Sequence, residues 1–215
     1  MVYQLHNKGV YLYKEIEPFL SPRDTFLLCY YFHKEIKDFN NFIKNKKTPY
    51  DFDESLLENP DDIDQMIEYG FIKTSIEYSL KYDVIENVLN MDNLNQKARW
   101  SPFEWSFKPD SLDLFSFSGF FGSIKCFKYL LMKGFEINDY VVSMVVCSGC
   151  LDIYHLCQGQ SVANPILICK SSQFFCLPLL VFMLENGMNI NAKESSNEYM
   201  CLIGLLFIGL PKMVI

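Results

Sequence analysis

The stretch Gly122-Ser-Ile-Lys-Cys-Phe-Lys-Tyr-Leu-Leu-Met-Lys-Gly134 decides the fold of this chain of 215 residues. Its apolar residues recur at the spacing of one helical face, and Gly134 stands where the end of a helix needs a left-handed residue. The same pattern returns 53 residues later, with Leu177 in the place of Ile124 and Gly187 in the place of Gly134. The stretch therefore predicts a helix and its exit, and its return predicts an internal repeat.

Four copies share an aliphatic residue at one register position. These are Ile124, Leu151, Leu177 and Leu210, with spacings of 27, 26 and 33 residues. A pair of short helices cannot bury its apolar face alone, so repeated pairs bury it against their neighbours. The predicted fold is therefore all-α, an α-solenoid of stacked helix pairs with an N-terminal helical cap.

The chain is expected to divide near residue 58. Residues 1–58 form the N-terminal helical region and residues 59–215 the repeats, with clear copies at about 113–139, 140–165 and 166–198 and an incomplete copy at 199–215. A helix is expected from Asn59-Pro60 to Tyr69-Gly70, and a helix pair over 75–81 and 84–89, broken near Tyr82-Asp83. Two prolines and both tryptophans within 90–111 predict an ordered loop without helical periodicity.

The segment Leu184-Glu-Asn-Gly-Met-Asn-Ile-Asn-Ala-Lys193 resembles the helix exit and hairpin of the ankyrin-repeat family. At the position of the family signature T-P-L-H-x-A stands Tyr199-Met-Cys-Leu-Ile-Gly204, which lacks the threonine, the proline and the histidine. The stretch Gln96–Cys157 is similar to divergent ankyrin proteins of unicellular eukaryotes, which carry irregular helical repeats before regular ones. The resemblance covers about residues 60–215. The last copy stops inside its second helix. The resemblance therefore implies a truncated member of the family with an exposed apolar C-terminal face.

The resemblance also implies a function. Ankyrin-like proteins are non-enzymatic scaffolds, which bind protein partners through the concave face and the hairpin loops of their repeats. Side chains at the hairpins project beyond the core, so partner binding is expected there. The expected residues are Phe135, Glu136, Asp139, Met188, Asn189, Lys193 and Glu194. The partner itself is unidentified, and no cofactor or small-molecule substrate is expected.

Charge and cysteine content restrict the partners and the compartment. The chain carries 26 acidic and 19 basic residues, a net charge of −7, which argues against nucleic acid and anionic membrane surfaces as partners. The N-terminus lacks the basic segment and the apolar run of a signal peptide, which predicts a cytoplasmic location. In that compartment all eight cysteines are expected to be thiols, most of them buried.

The cysteines raise zinc binding as an alternative. Cys147-x-x-Cys150 with His155, Cys157 and Cys169 supplies enough ligands for a tetrahedral zinc site. The first two cysteines flank the turn glycine of an aligned copy, where side chains serve packing, and no second C-x-x-C motif occurs. We therefore predict no metal site.

Catalysis is the second alternative. A cysteine nucleophile would need one of the three histidines at positions 6, 33 and 155 as its base, and no spacing selects such a pair. A Gly-rich phosphate loop and a G-x-S-x-G motif are both absent from the sequence. The chain is therefore predicted not to be an enzyme and to contain no catalytic residue.

The last 17 residues, 199–215, also fit another class of protein, one that is anchored in a membrane. They are nearly all apolar, with Lys212 their only charge, and their number is at the lower limit for a helix that spans a bilayer. The alternative function is therefore a membrane-associated protein with a C-terminal apolar anchor at 199–215. Pro211 and the 33-residue match to Leu177 favour a buried pair of repeat helices instead.

Overall fold

Helices dominate the part of the chain that the structure describes. This structure, a computed structural model, describes residues 29–31, 33–34, 60–101, 103–104, 112–159 and 166–188. None of these residues lies in a β-strand, and the one isolated β-bridge among them joins Lys97 to Asp113. At this level the predicted all-α class is confirmed.

The chain divides into two compact units. The first comprises Met1–Lys73 and Trp100–Lys108, and the second comprises Thr74–Arg99 and Pro109–Ile215. Most of the predicted N-terminal helical region, 1–58, lies outside the described residues, apart from a helical turn at 29–31. The predicted boundary near residue 58 stays a prediction.

In the first unit, helix α1 (Pro60–Tyr69) confirms the helix expected there. Asp61 and Asp62 lie in its first turn, where carboxylates complement the positive end of the helix dipole. After the helix, Gly70 adopts the left-handed conformation with φ of 83°. The buried side chains Ile63 and Met66 pack with Tyr30, and these contacts form the described core of this unit.

In the second unit the described helices come in the order of the predicted pairs. They are α2 (Ile76–Lys81), α3 (Ile85–Leu89), α4 (Leu114–Phe121), α5 (Ile124–Met132), α6 (Asp139–Ser148), α7 (Leu151–Cys157), α8 (Ile166–Gln173) and α9 (Leu177–Glu185). We call α2–α3, α4–α5, α6–α7 and α8–α9 pairs one to four. In each pair the two helices pack against each other.

Contacts between pairs follow the order of the chain. The first helix of pair two, α4, packs against α2 and most extensively against α6, and α6 packs in turn against α8. The second helices α3, α5 and α7 contact one another in the same order, though less extensively. Pairs that follow one another in the chain are thus neighbours in space.

The aliphatic position that first indicated the repeat falls at the same place in the helices of three pairs. Ile124, Leu151 and Leu177 are each the first residue of a second helix. Leu210, the fourth member, lies outside the described residues. Two positions before each second helix stands a residue with positive φ, which turns the chain between the helices of a pair. These turn residues are Asp83 (56°), Gly122 (72°), Gly149 (70°) and Phe175 (56°).

Small buried residues allow the first helices to approach closely. Ser79, Ser118 and Ser171 are fully buried, and their backbone carbonyl oxygens accept hydrogen bonds of 2.8–2.9 Å from the amides that follow the turn. Each serine hydroxyl donates to a carbonyl oxygen three or four residues earlier in the same chain segment. The hydroxyls are therefore satisfied locally, so their burial carries no unpaired polar group.

Candidate partner-binding surface

A row of aromatic side chains runs along the first helices of the second unit. We call it the aromatic strip: Tyr78, Tyr82, Phe117, Phe120, Phe121 and Phe174. Rings four residues apart touch, with centroid distances of 4.6 Å for Tyr78–Tyr82 and 4.8 Å for Phe117–Phe121. The ring of Phe120 lies 5.1 Å from Phe121 and 5.7 Å from Phe174, in both cases edge to face. The strip thus joins residues of pairs two and four.

Lys81 connects the strip between pairs one and two. Its Nζ lies 5.4 Å from the ring centroid of Tyr82 and 5.6 Å from that of Phe121. An ammonium group at this distance from a ring face is attracted by the π electrons of that ring. One lysine therefore holds rings from two pairs together and adds a positive charge to an otherwise apolar surface.

The repeat explains why the rings line up. Tyr82, Phe121, Ser148 and Phe174 occupy one register position, immediately before the left-handed turn residue of each pair. In pair three this position holds the small Ser148, and Phe120 of pair two reaches across to Phe174 of pair four. A serine at this point leaves room for that contact.

The strip combines exposure with rigidity. Tyr82 is 44% exposed, and Phe120, Phe121 and Phe174 are half-buried. Because neighbouring rings hold each other in place, a partner that binds here orders few side chains, which limits the entropic cost of binding. Partly exposed aromatic side chains are also the residues that contribute most to protein interfaces.

The predicted partner-binding residues occupy different surroundings. Phe135 is half-buried and packs on Phe115 with a centroid distance of 5.8 Å, whereas Glu136 and Asp139 are exposed. Phe135 and Glu136 lie on the short connector that leads into α6, and Asp139 is the first residue of α6. Met188 is half-buried at the end of pair four, at the register position of Phe135. The other three predicted residues, Asn189, Lys193 and Glu194, lie outside the described residues.

Sequence reasoning did not select the aromatic strip, although a signal for it exists. Three of the four pairs carry an aromatic residue directly before the turn residue: Tyr82, Phe121 and Phe174. That regularity becomes visible only when the turn residue is known, and in two copies the turn residue is Asp83 or Phe175 rather than glycine. A search for repeated glycines therefore aligns only half of these turns.

The cysteines differ in part from the expectation. Six are free thiols: Cys29, Cys126, Cys147, Cys150, Cys157 and Cys176. Cys169 is disulfide-bonded, so the expectation that all eight are thiols is wrong at this residue. Disulfide pairing depends on which Cβ atoms meet in three dimensions, and spacing along the chain does not reveal it.

Burial makes three of the described thiols poor nucleophiles. It raises the pKa of Cys126 and of Cys147 to about 12 and the pKa of Cys157 to about 11. A hydrogen bond with Asp83 is the second cause at Cys126. Because the thiolate is the reactive form, these side chains remain protonated and unreactive near neutral pH.

The residues considered for zinc do not converge. The Cys147 thiol donates to the carbonyl oxygen of Ser143 (3.2 Å), and His155 Nδ1 lies 3.1 Å from Gln158 Oε1 on the exposed side of α7. Within the part of the chain that the structure describes, no three histidine, cysteine or acidic side chains come together as metal ligands.

The described helices are also too short or too polar to cross a bilayer. The segment 199–215, which carries the alternative function of a C-terminal apolar anchor, lies outside the described residues.

Comparisons with models of protein families, with curated proteins and with solved structures found nothing that matches this chain.

Proposed function

We propose that the second unit is an α-solenoid of stacked helix pairs, related to the ankyrin repeat, and that it serves as a non-enzymatic scaffold for protein–protein interaction. The solenoid is supported by the serial contacts of α2, α4, α6 and α8 and by the common register of Ile124, Leu151 and Leu177. In such folds each repeat contacts only its neighbours, and the first helices together offer one extended surface.

The aromatic strip carries the proposal. It lies along the first helices, which form the concave binding face in an ankyrin-like stack. Apart from the buried Phe117, its rings are partly exposed yet held by one another. The partner that it fits is a protein segment with apolar side chains. The residues predicted from the sequence stay part of the proposal as further partner contacts: Phe135, Glu136, Asp139, Met188, Asn189, Lys193 and Glu194.

A cytoplasmic location remains part of the proposal, and Cys169 provides its test. Disulfides are rare in the cytosol, so the disulfide of Cys169 argues against this location, and a Cys169 thiol in intact cells would support it. Rapid alkylation of intact cells, followed by mass spectrometry of the Cys169 peptide, measures its redox state. A fully oxidised Cys169 would place the protein in an oxidising compartment instead.

A comparison of matched surface variants tests the binding function. The strip variant Y82S/F120S removes two rings, and the control variant L89S/M132S removes two exposed apolar side chains from the second helices α3 and α5. We expect a partner captured by the wild-type protein to bind the strip variant at least about tenfold more weakly and the control variant equally well, since aromatic side chains dominate interface energies.

The measurement is a Kd by biolayer interferometry with the partner that wild-type pull-down and mass spectrometry identify. Circular dichroism melts establish that both variants fold. A third variant, E136A/D139A, measures the contribution of the connector. Equal affinity for the wild type, the strip variant and the connector variant would reject the proposed surface.

A further inference from the structure

A cavity of about 200 Å³ lies between pairs three and four. Its described lining combines apolar and aromatic side chains with the polar Gln158 and Asn186 and with Gly159. The apolar and aromatic ones are Val142, Tyr154, Cys157, Leu167, Phe182, Met183 and Met188. The first four of these and Met183 are buried, and Phe182 is half-buried. The rings of Tyr154 and Phe182 stand edge to face at 6.1 Å, so one wall is aromatic.

The repeat shows why the space is empty. Val142 and Cys157 of pair three occupy the register positions of Phe115 and Leu130 of pair two, 27 residues earlier. In pair two, Phe115 fills the corresponding space and stacks on Phe127 with a centroid distance of 4.3 Å. Smaller side chains at both positions of pair three leave a void, which is the natural equivalent of a large-to-small substitution in a core.

The mouth of the cavity is polar. Gln158 and Asn186 are exposed there, and Asn186 Nδ2 donates to the carbonyl oxygen of Phe182 (2.7 Å). This bond fixes the orientation of the Asn186 amide and leaves its Oδ1 as an acceptor. A site with an apolar interior and one fixed polar group at the rim is typical of pockets for small molecules.

We propose that this cavity binds a small aromatic molecule of one or two fused rings that carries a single hydrogen-bond donor. An apolar cavity of about 150 Å³ accepts benzene, so a slightly larger space suits a bicyclic ring. The donor of the ligand faces Asn186 Oδ1, and its rings pack between Tyr154, Met183 and Leu167. This site is separate from the aromatic strip and does not depend on the proposed partner binding.

Indole is the probe that tests the site, because it is bicyclic and has one N–H. Isothermal titration calorimetry of the full chain measures its affinity. We expect binding at one site in the wild type and a loss of at least about tenfold in each of the variants V142F and C157L, which restore the side chains of pair two. The control variant M132S removes an exposed side chain of α5 that does not line the cavity, and it is expected to bind indole as the wild type does.

The methionine methyl resonances of the wild-type protein provide a second readout that does not require a folded variant. Saturating indole is expected to shift the Met183 methyl signal, because the ring current of the ligand acts on a side chain that lines the cavity. Met132, which is 78% exposed on α5, serves as the internal control, and its signal is expected to stay in place. Absence of indole binding, or binding that leaves the Met183 methyl signal in place, would overturn the proposal.

Discussion

Asp83 connects two neighbouring helix pairs through its carboxylate. It is the turn residue of pair one, yet its Oδ2 and Oδ1 accept hydrogen bonds from the amides of Lys125 (3.1 Å) and Cys126 (2.9 Å) in pair two. Both amides belong to the first turn of α5. The N-cap residue of that helix, Ser123, does not cap it, because its hydroxyl donates a hydrogen bond to the carbonyl oxygen of Leu80 instead. A side chain from another pair thus does what an N-cap residue normally does.

This exchange of roles predicts the effect of substitutions at Asp83. D83A removes both hydrogen bonds and places alanine at positive φ, so we expect it to lower the free energy of unfolding by about 2–3 kcal/mol. D83N keeps one acceptor oxygen and tolerates the left-handed conformation, so its loss is expected to be about 1 kcal/mol. Urea unfolding followed by circular dichroism measures both values. The matched control is D92A, in an exposed loop position; a loss as large as that of D83A there would refute the capping role.

At the scale of elements, the turn between the two helices of a pair is where neighbouring pairs meet. A Cβ atom on Gly149 would lie 3.0 Å from Cys176 Sγ and 3.1 Å from Cys176 Cβ, because the start of pair four packs directly on this turn. The Cys176 thiol also donates to the carbonyl oxygen of Cys147 (3.3 Å). Gly149 is therefore required both by its φ of 70° and by the close approach of the next pair.

Two glycine substitutions separate these requirements. Gly134 also has positive φ (95°), but nothing lies within 4 Å of a Cβ placed on it. We expect G134A to cost about 1–2 kcal/mol for the left-handed backbone alone. G149A adds the clash with Cys176, for a further ~1–3 kcal/mol. Equilibrium unfolding of both variants measures the difference; equal losses would mean that the pairs do not press on each other at this turn.

The same turns show how much of the fold the sequence reveals. Ile124, Leu151 and Leu177 could be aligned from the sequence because an apolar residue at the start of a second helix is needed in every pair. The break near Tyr82-Asp83 was predicted as well, and aspartate is among the residue types that tolerate positive φ. Phe175 could not be recognised as a turn residue, since its positive φ follows from packing rather than from residue type. The aromatic strip was missed for a related reason: its rings meet across pairs, and a contact such as Phe120 with Phe174 has no local pattern.

The cavity was equally hidden in the sequence. Val142 and Cys157 are ordinary core residues when considered alone, and only their register equivalence to Phe115 and Leu130 shows that volume is missing. Likewise, Phe135 was expected to project at a hairpin, whereas in the structure it packs on Phe115. In both cases the position of a side chain depends on the size of its neighbours in another helix. The periodicity of one helix contains no information about that size.

At the scale of the second unit, the turns of pairs one to three each contact the following pair, and pair four is the last pair among the described residues. Gly149 lies under Cys176, and His155 meets Phe182 of pair four with a ring distance of 4.9 Å. The residues of pair four at the register positions of Gly149 and His155 are Phe175 and Val181, which are 55% and 37% exposed. Leu177, between them, is 40% exposed. These three residues form an apolar end face.

The end face predicts concentration-dependent self-association, because an exposed apolar patch of this kind marks an interaction site. In the variant F175G/V181K, glycine suits the left-handed backbone at 175, and lysine is the residue that pair two carries at the position of Val181. We expect the variant to sediment as a monomer at concentrations where the wild type forms larger species, with an unchanged circular dichroism spectrum. L89S, which removes a 50% exposed leucine from α3, is the control and should associate as the wild type does. Association of F175G/V181K at the wild-type concentration would show that other surfaces hold the copies together.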